Sequence, residues 1–273
     1  MTYIAKQKDG TPLLGDEDGV RPLTASNPEL CTMDDALRAA ASGSLPDPTD
    51  ATAAPHSIDS VKFTVPLETL GKLWGIGLNY AEHASDLKEE RPDEPASFMK
   101  PISTVVGPGG PIRLPPSELT ERITAEAEIG VIIGRCCYDL NTDDVDRVIA
   151  GYVPIIDMTA EDILERNPRY LTRAKSFDTF LVIGPRIITP SSVWPLDRIT
   201  VRTNINGQTV AENTVDNMMM PPRELVVFHS RMMTLEVGDI ILTGTPGAGV
   251  ITASDTVTAS IDRIGNVSAD VVD

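Results

Sequence analysis

The chain has 273 residues, a formal net charge of −17, 41% hydrophobic residues and only 4% aromatics. That length supports one large domain, or a large and a small one, and the aliphatic content is enough for a buried core. The acidic excess disfavours nucleic acid and anionic membrane surfaces as partners, because both would be repelled.

No apolar run approaches the roughly 18 residues of a spanning helix, so no membrane association is expected, and the first ten residues lack the apolar core of a signal peptide. Cys31, Cys136 and Cys137 form no metal-ligand spacing, and an odd count argues against a disulfide framework. A cytoplasmic protein is the expectation. The Arg-over-Lys and Asp-over-Glu bias fits either a halophilic source or an ordinary acidic soluble protein.

Residues 1–66 read as a small N-terminal domain and residues 67–273 as the main one, with the boundary near Pro66. Asp34 to Ala40 predicts a short helix capped by Thr32 and ended by Gly43. Ser42 to Pro55 has loop composition, and Val61 to Val65 looks like a strand. Trp74 to Leu78 predicts a strand running into Asn79-Tyr80-Ala81-Glu82-His83-Ala84. The charged, Pro-bounded stretch from Asp86 to Pro95 has little apolar surface to bury, which suits a mobile lid or a plain surface loop. Gly107 to Pro111 is a turn cluster.

Asp143 to Ala150 predicts a helix with an acidic first turn, ended by Gly151. Thr159 to Glu165 predicts another, with Thr159 as N-cap, Asp162 three residues on, and Pro168 as its stop. From Ile199 the pattern turns β-rich. Ile199, Val201, Thr203 and Ile205 alternate with polar residues, and Asn206-Gly207 is a strong hairpin signal. Pro221-Pro222 opens a helix with Leu225, Phe228 and Met232 on one face. Ile240 to Leu242 reads as a buried strand, and Val257, Ala259 and Ile261 alternate in a late one that Gly265-Asn266 turns back. No long repeat recurs, and the fold class is α+β, weighted to β.

Chemistry concentrates between Ile123 and Lys175. Glu126 and Glu128, one residue apart, fall on the same side of a strand, and Asp157 ends the apolar run Tyr152 to Ile156. Three carboxylates gathered at strand ends repel one another unless a cation lies between them. Hard divalent ions such as Mg²⁺ or Mn²⁺ prefer that all-oxygen setting. The bland alternative is a pair of exposed acids on an edge strand.

Lys175 is either a surface lysine or, beside such a cluster, a cation for a substrate carboxylate or enolate. His83 is either a solvated loop histidine or a general acid/base oriented by Asp86 or Glu82. His229, next to Phe228, reads as structural, and Met218 to Met220 as core filler or interface. A serine hydrolase is disfavoured by the lack of a Gly-x-Ser-x-Gly elbow, and Gly107 to Gly110 lacks the features of a phosphate loop.

Several blocks together resemble the fumarylacetoacetate hydrolase (FAH) superfamily. They are Gly77 to Ala84, Phe98-Met99-Lys100-Pro101, Glu126-Ala127-Glu128 with Gly134, Gly151-Tyr152, Asp157, Lys175 to Thr179, Asn206-Gly207, Asn213-Thr214 and Gly238 to Pro246. The resemblance implies an FAH C-terminal-type mixed β-sheet roll or barrel with short helices, usually in a homodimer that binds Mg²⁺, Mn²⁺ or Ca²⁺. Carried over by position, it implies Glu126, Glu128 and Asp157 as metal ligands, with Lys175 beside the metal. His83 would be the acid/base on a lid, with Asp86 as its carboxylate partner. Tyr80, Thr179 and Thr245 would contact the substrate.

The match also has departures. The family's usual Asn before the metal Asp is Ile156, its usual Arg is Glu161, the expected Gln is Leu164, and the lid Glu is Asp86. Leu164-Glu165, Arg169, Leu171, Arg173, Lys175 and Ser176 instead resemble the decarboxylase/isomerase branch acting in homoprotocatechuate breakdown. The expected activity is hydrolysis of a C–C bond in an acylpyruvate-type 2-oxo or β-diketo acid through a metal-stabilised enolate. The alternative is a decarboxylase/isomerase or tautomerase of a 2-oxo diacid. From another class, the alternative is a non-catalytic metabolite-binding protein, which the changes at Glu161 and Leu164 motivate.

Overall fold

The computed structural model describes residues 1–80 and 94–273. In the first half of the chain the strands are β1 (Tyr3–Lys6), β2 (Pro12–Gly15), β3 (Val20–Pro22), β4 (Leu73–Gly77), β5 (Ala96–Lys100), β6 (Val105–Val106), β7 (Gly109–Arg113) and β8 (Ile123–Ile133). In the second half they are β9 (Ile149–Ala160), β10 (Leu181–Ile183), β11 (Arg186–Ile188), β12 (Thr200–Ile205), β13 (Gln208–Thr214), β14 (Ile240–Leu242), β15 (Ala248–Ile251), β16 (Thr256–Ile261) and β17 (Gly265–Val272). Among the described residues the α-helices are α1 (Met33–Ser42), α2 (Glu161–Arg166), α3 (Leu171–Ala174), α4 (Pro190–Val193) and α5 (Pro222–Ser230). The result is a β-rich α+β fold.

Two sheets form the frame. The larger runs β3-β2-β1-β11-β9-β8-β14-β4-β5, with β6, β10 and β15 attached off this path. The smaller runs β13-β12-β16-β17-β7. Most pairs are antiparallel, while β14–β4, β10–β6 and β17–β7 are parallel, so both sheets are mixed. The barrel expected from the resemblance does not form among the described residues. The path through the large sheet leaves β3 and β5 as edges instead of joining them. The first three strands extend this same sheet through the β1–β11 pair.

The long antiparallel pair β8–β9 is the centre of the molecule, and every residue of both strands is buried. Alternation sorts their side chains onto two faces. Ile123, Ala125, Ala127, Ile129, Val131 and Ile133 of β8 join Tyr152, Ile156, Met158 and Ala160 of β9 in one apolar core, with Val201, Val257, Ala259 and Val267 of the smaller sheet. The opposite face starts as a second core, where Ile132, Val153 and Ile155 meet α1 and β14. Further along that face stand Glu128, Glu126 and Asp157, with Glu126 directly opposite Asp157 in the ladder.

Beside those carboxylates the neighbouring strand is interrupted. β14 pairs with β8 over Gly130 to Ile132, whereas β15 pairs with it over Ile123 to Glu126. Between them the Thr243 to Gly247 turn runs past Glu128. It leaves the Ala127 amide to donate to the Thr203 hydroxyl at 2.9 Å.

Several sequence expectations hold. Helix α1 carries a capping box between Thr32 and Asp35 and ends at Gly43, whose φ of 68° is the left-handed conformation that suits glycine. The Asn206-Gly207 turn joins β12 to β13 with both residues at positive φ.

Others are corrected. Val61 to Val65 makes only a single bridge, from Phe63 to Gln7. The segment from Asp143 forms a 3₁₀ turn, and Gly151 lies inside β9, where a Cβ would stand 2.3 Å from the Ile188 carbonyl oxygen. Helix α2 starts two residues after Thr159, and its N-terminus has no side-chain cap. The late hairpin turns at Asp262 to Ile264, before Gly265. In α5 the buried face holds Leu225, Val226 and His229, while Phe228 is half-buried and Met232 lies exposed beyond the helix. The expected lid overlaps residues 81–93, which lie outside the described residues.

Candidate metal centre

Glu126, Glu128 and Asp157 converge in a buried cluster, and one ligand oxygen from each lies within 4.8 Å of the others. Strand phase explains why. Glu126 and Glu128 are two apart on β8, and Asp157 is the ladder partner of Glu126 on β9. Asp157 is fully buried and Glu128 is 1% exposed, so neither acid belongs to an exposed edge.

Two ammonium groups reach the cluster. Lys175 follows helix α3 and donates to Glu126 Oε2 at 2.8 Å and to Asp157 Oδ2 at 2.7 Å. Its Nζ also lies 5.0 Å from the centre of the Phe98 ring. Phe98 in turn lies flat over Gly75 of the paired strand, where a Cβ would come within 2.2 Å of the ring.

Lys100, at the end of β5, is equally buried and donates to Asp157 Oδ1. Sequence reasoning placed Lys100 in a resembling block without giving it a role. The signal was present, because Phe98 and Lys100 are two apart and share the inward face of β5.

Two of the three remaining carboxylate oxygens are also directed. The Thr159 hydroxyl donates to Glu126 Oε1, and the N-cap position of helix α2 falls on Ala160. The Gly244 amide donates to Glu128 Oε2 at 2.7 Å.

Electrostatics divides the three acids. Burial opposes ionisation of Asp157, but Lys100 and Lys175 outweigh it and hold the carboxyl below its ordinary range. For Glu128, burial and then the charge of Asp157 push the pKa well up, and Lys175 and the Gly244 amide offset only part of this. Burial lowers the Lys100 pKa more than Asp157 raises it. The three carboxylates overcome burial at Lys175 and drive its pKa up.

Glu128 is therefore the acid with unrelieved negative charge around it. A cation on these oxygens would relieve that repulsion, and the all-oxygen, buried donor set fits a hard divalent ion. The residues present fit the group that the resemblance implies.

The other expected site residues are less closely joined. Tyr80 is fully buried, its hydroxyl has no partner among the described residues, and burial followed by the charge of Glu128 raises its pKa. The Thr245 hydroxyl is buried, donates to the Gly247 carbonyl at 2.8 Å and accepts from the Gly247 amide at 3.2 Å. The Thr179 hydroxyl accepts from the Arg113 amide at 2.8 Å. His83 and Asp86 lie outside the described residues. His229 is buried, with Nδ1 on the Leu225 carbonyl at 2.7 Å and Nε2 on Ser97 at 3.2 Å, which is a structural setting.

The departures from the family pattern also have partners. Glu161 pairs with Arg122 at 3.5 Å, and Arg122 also reaches Glu165 at 2.9 Å. Ile156 points away from the carboxylates into the core shared with the smaller sheet.

Comparison with known proteins agrees with this geometry. The model of the fumarylacetoacetate (FAA) hydrolase C-terminal family matches residues 72–272. A 2,4-didehydro-3-deoxy-L-rhamnonate hydrolase from Sphingomonas sp. (strain SKA58) is 31% identical over 264 residues, covering 93% of this chain and 89% of the relative. The crystal structure of 5-carboxymethyl-2-hydroxymuconate delta-isomerase from Mycobacterium smegmatis is similar with a TM-score of 0.78 and 28% identity, over 100% of this chain and 99% of that one. Fumarylpyruvate hydrolase from Pseudomonas aeruginosa, in complex with Mn²⁺ and pyruvate, gives 0.69 and 26%, over 74% and 90%. The chain belongs to the fumarylacetoacetate hydrolase C-terminal family.

Proposed function

We propose that this protein is a divalent-metal-dependent enzyme that hydrolyses a C–C bond in an acylpyruvate-type 2-oxo or β-diketo acid. The observation that carries the reading is the buried Glu126, Glu128 and Asp157 cluster with two lysines on its oxygens. With all five side chains ionised, three carboxylates against two ammonium groups leave one negative charge. A divalent ion turns that into one positive charge, which the carboxylate of a 2-oxo acid neutralises. The Mn²⁺ and pyruvate held by the similar fumarylpyruvate hydrolase support the same pairing of ion and ligand.

Glu126, Glu128 and Asp157 would hold Mg²⁺, Mn²⁺ or Ca²⁺. Bound there, the ion supplies Lewis-acid polarisation of the 2-oxo carbonyl. Lys175 and Lys100 stabilise negative charge growing on the substrate oxygens in a site that excludes water. His83, oriented by Asp86, takes a proton from the water that attacks the acyl carbon. The C–C bond breaks, its electron pair passes to the enolate, and His83 returns the proton to carbon. A carboxylic acid and a 2-oxo acid result. Tyr80, Thr179 and Thr245 contact the substrate.

Isomerisation, decarboxylation or tautomerisation of a 2-oxo diacid is the second reading. It is favoured by the isomerase from M. smegmatis, whose similarity spans the whole chain. Each of these reactions passes through an enolate of a 2-oxo acid, and only hydrolysis needs water to attack. We also propose a cytoplasmic homodimer, which sedimentation of the purified protein would check.

The deciding assay supplies Mg²⁺ or Mn²⁺ and offers acylpyruvates, oxaloacetate and hydroxymuconate-type diacids to the wild type and to Asp157→Ala. Turnover of an acylpyruvate that Asp157→Ala abolishes is the expected result. Absence of turnover on every 2-oxo acid, together with no metal binding by calorimetry, would sink the proposal.

A further inference from the structure

We infer that Asn79 is a positioning residue that orients Glu128 through a single peptide plane, an inference that rests on the metal reading above. Asn79 lies two residues beyond β4, is 3% exposed and has both ends of its side chain engaged. Its Nδ2 donates to the Met220 carbonyl at 2.9 Å and to the Thr243 carbonyl at 2.8 Å. Its Oδ1 accepts from the Met220 amide at 3.0 Å, and its backbone carbonyl accepts from the Met219 amide at 2.7 Å. Two carbonyls on one end and an amide on the other determine which way the side-chain amide faces.

The Thr243 carbonyl and the Gly244 amide are the two poles of one planar peptide unit. Asn79 donates to the first pole, and the second donates to Glu128 Oε2 at 2.7 Å. A donor on the carbonyl polarises the peptide and strengthens its N–H, so the two hydrogen bonds reinforce each other in this buried setting. The plane also has little room to rotate. Gly244 has a φ of 86°, and a Cβ there would stand 2.9 Å from the Asn79 Cβ. This relay links three segments distant in sequence: the end of β4, the methionine loop Met218 to Met220, and the turn after β14. It ends on the one cluster acid that no lysine directly touches among the described residues.

The test is Mn²⁺ titration by calorimetry, paired with thermal melts in EDTA. Asn79→Asp keeps the shape but faces two carbonyls with an oxygen, and Asn79→Ser removes both donors at smaller size. Each is expected to weaken Mn²⁺ binding roughly 10–100-fold, the usual scale for groups that orient metal ligands.

Asp239→Ala serves as the reference. It removes a buried carboxylate bonded to the Lys72 amide, the Lys72 ammonium and the Glu236 amide at the opposite end of β14. It should lower the melting temperature and leave Mn²⁺ affinity within about twofold. In a Glu128→Ala background, which removes the acceptor of the Gly244 amide, the Asn79 substitutions should add less than about threefold, because the relay has already lost its end point.

A folded Asn79 variant with wild-type Mn²⁺ affinity overturns the inference, and so does a full additive loss in the Glu128→Ala background. Loss of Mn²⁺ affinity by Asp239→Ala equal to that of the Asn79 variants at the same melting temperature overturns it as well. A wild type that binds no Mn²⁺ removes the metal reading itself, which distinguishes that failure from the other three.

Discussion

The two faces of the β8–β9 ladder share the same strands, the same register and the same near-total burial, yet they do opposite things. One face is apolar from Ile123 to Ile133 and packs on the smaller sheet. The other passes from Ile132, Val153 and Ile155 to Glu128, Glu126 and Asp157, within two residues on β9 and four on β8. Burial stabilises the first face directly. On the second it has a cost, offset by Lys100, Lys175, Thr159 and Gly244. A buried charged cluster held at such expense on a fold able to fill the space with aliphatics points to a functional site.

Four substitutions or titrations would break or sharpen this contrast. The largest effect is expected from Asp157→Ala. It leaves Lys100 and Lys175 buried without their shared partner and should destabilise the chelated protein by about 3–5 kcal/mol while removing Mn²⁺ binding. Chemical denaturation in EDTA measures the first effect and calorimetry the second. A stable variant that still binds Mn²⁺ would contradict the contrast.

On the apolar face, Ile129→Val should cost about 0.5–1.5 kcal/mol, the usual range for one buried methylene, with Mn²⁺ affinity unchanged. Coupling between the two effects would show that the faces are not independent.

A third test concerns a buried titratable group that has no counter-charge among the described residues. Burial lowers the pKa of His229, and the Leu225 carbonyl offsets only part of that. The unfolded chain therefore binds more protons in the interval below the ordinary histidine value of 6.5. Stability should fall as pH drops through that value and level off below the folded pKa. His229→Gln should remove this part of the pH slope in denaturant titrations, whereas the slope would persist if another group caused it.

The smallest effect belongs to the solvent-facing end of the ladder. Glu165→Ala breaks an exposed pair with Arg122 and should change stability by less than about 1 kcal/mol. A larger loss would mean that this pair is more than a solvated contact.

Much of the site was legible in the sequence because period-two alternation is local. Glu126 and Glu128 share a face wherever their strand lies, whereas Asp157, read as a strand end, lies inside β9, which continues to Ala160. The helix from Met33, with its Thr32 cap and Gly43 end, and the Asn206-Gly207 hairpin were readable for the same reason. Thr159 shows where local reasoning failed. Its hydroxyl was assigned to a helix N-cap, but Thr159 lies within β9, the N-cap position falls on Ala160, and the hydroxyl donates to Glu126. Gly151 was read as a helix stop, but it serves the close approach of β11.

By itself, then, the sequence determined the β-rich class, the carboxylate spacing and the family resemblance, since these depend on residue order along single strands. Only the tertiary structure showed that Lys100 joins Lys175 on Asp157 and that the Asn79 amide reaches Glu128 through the Thr243–Gly244 peptide. Those contacts join residues up to 164 positions apart, brought together by the pairing of β4 with β5 and β14. Pairing between distant strands is set by the competition of whole faces for burial, which no local pattern encodes.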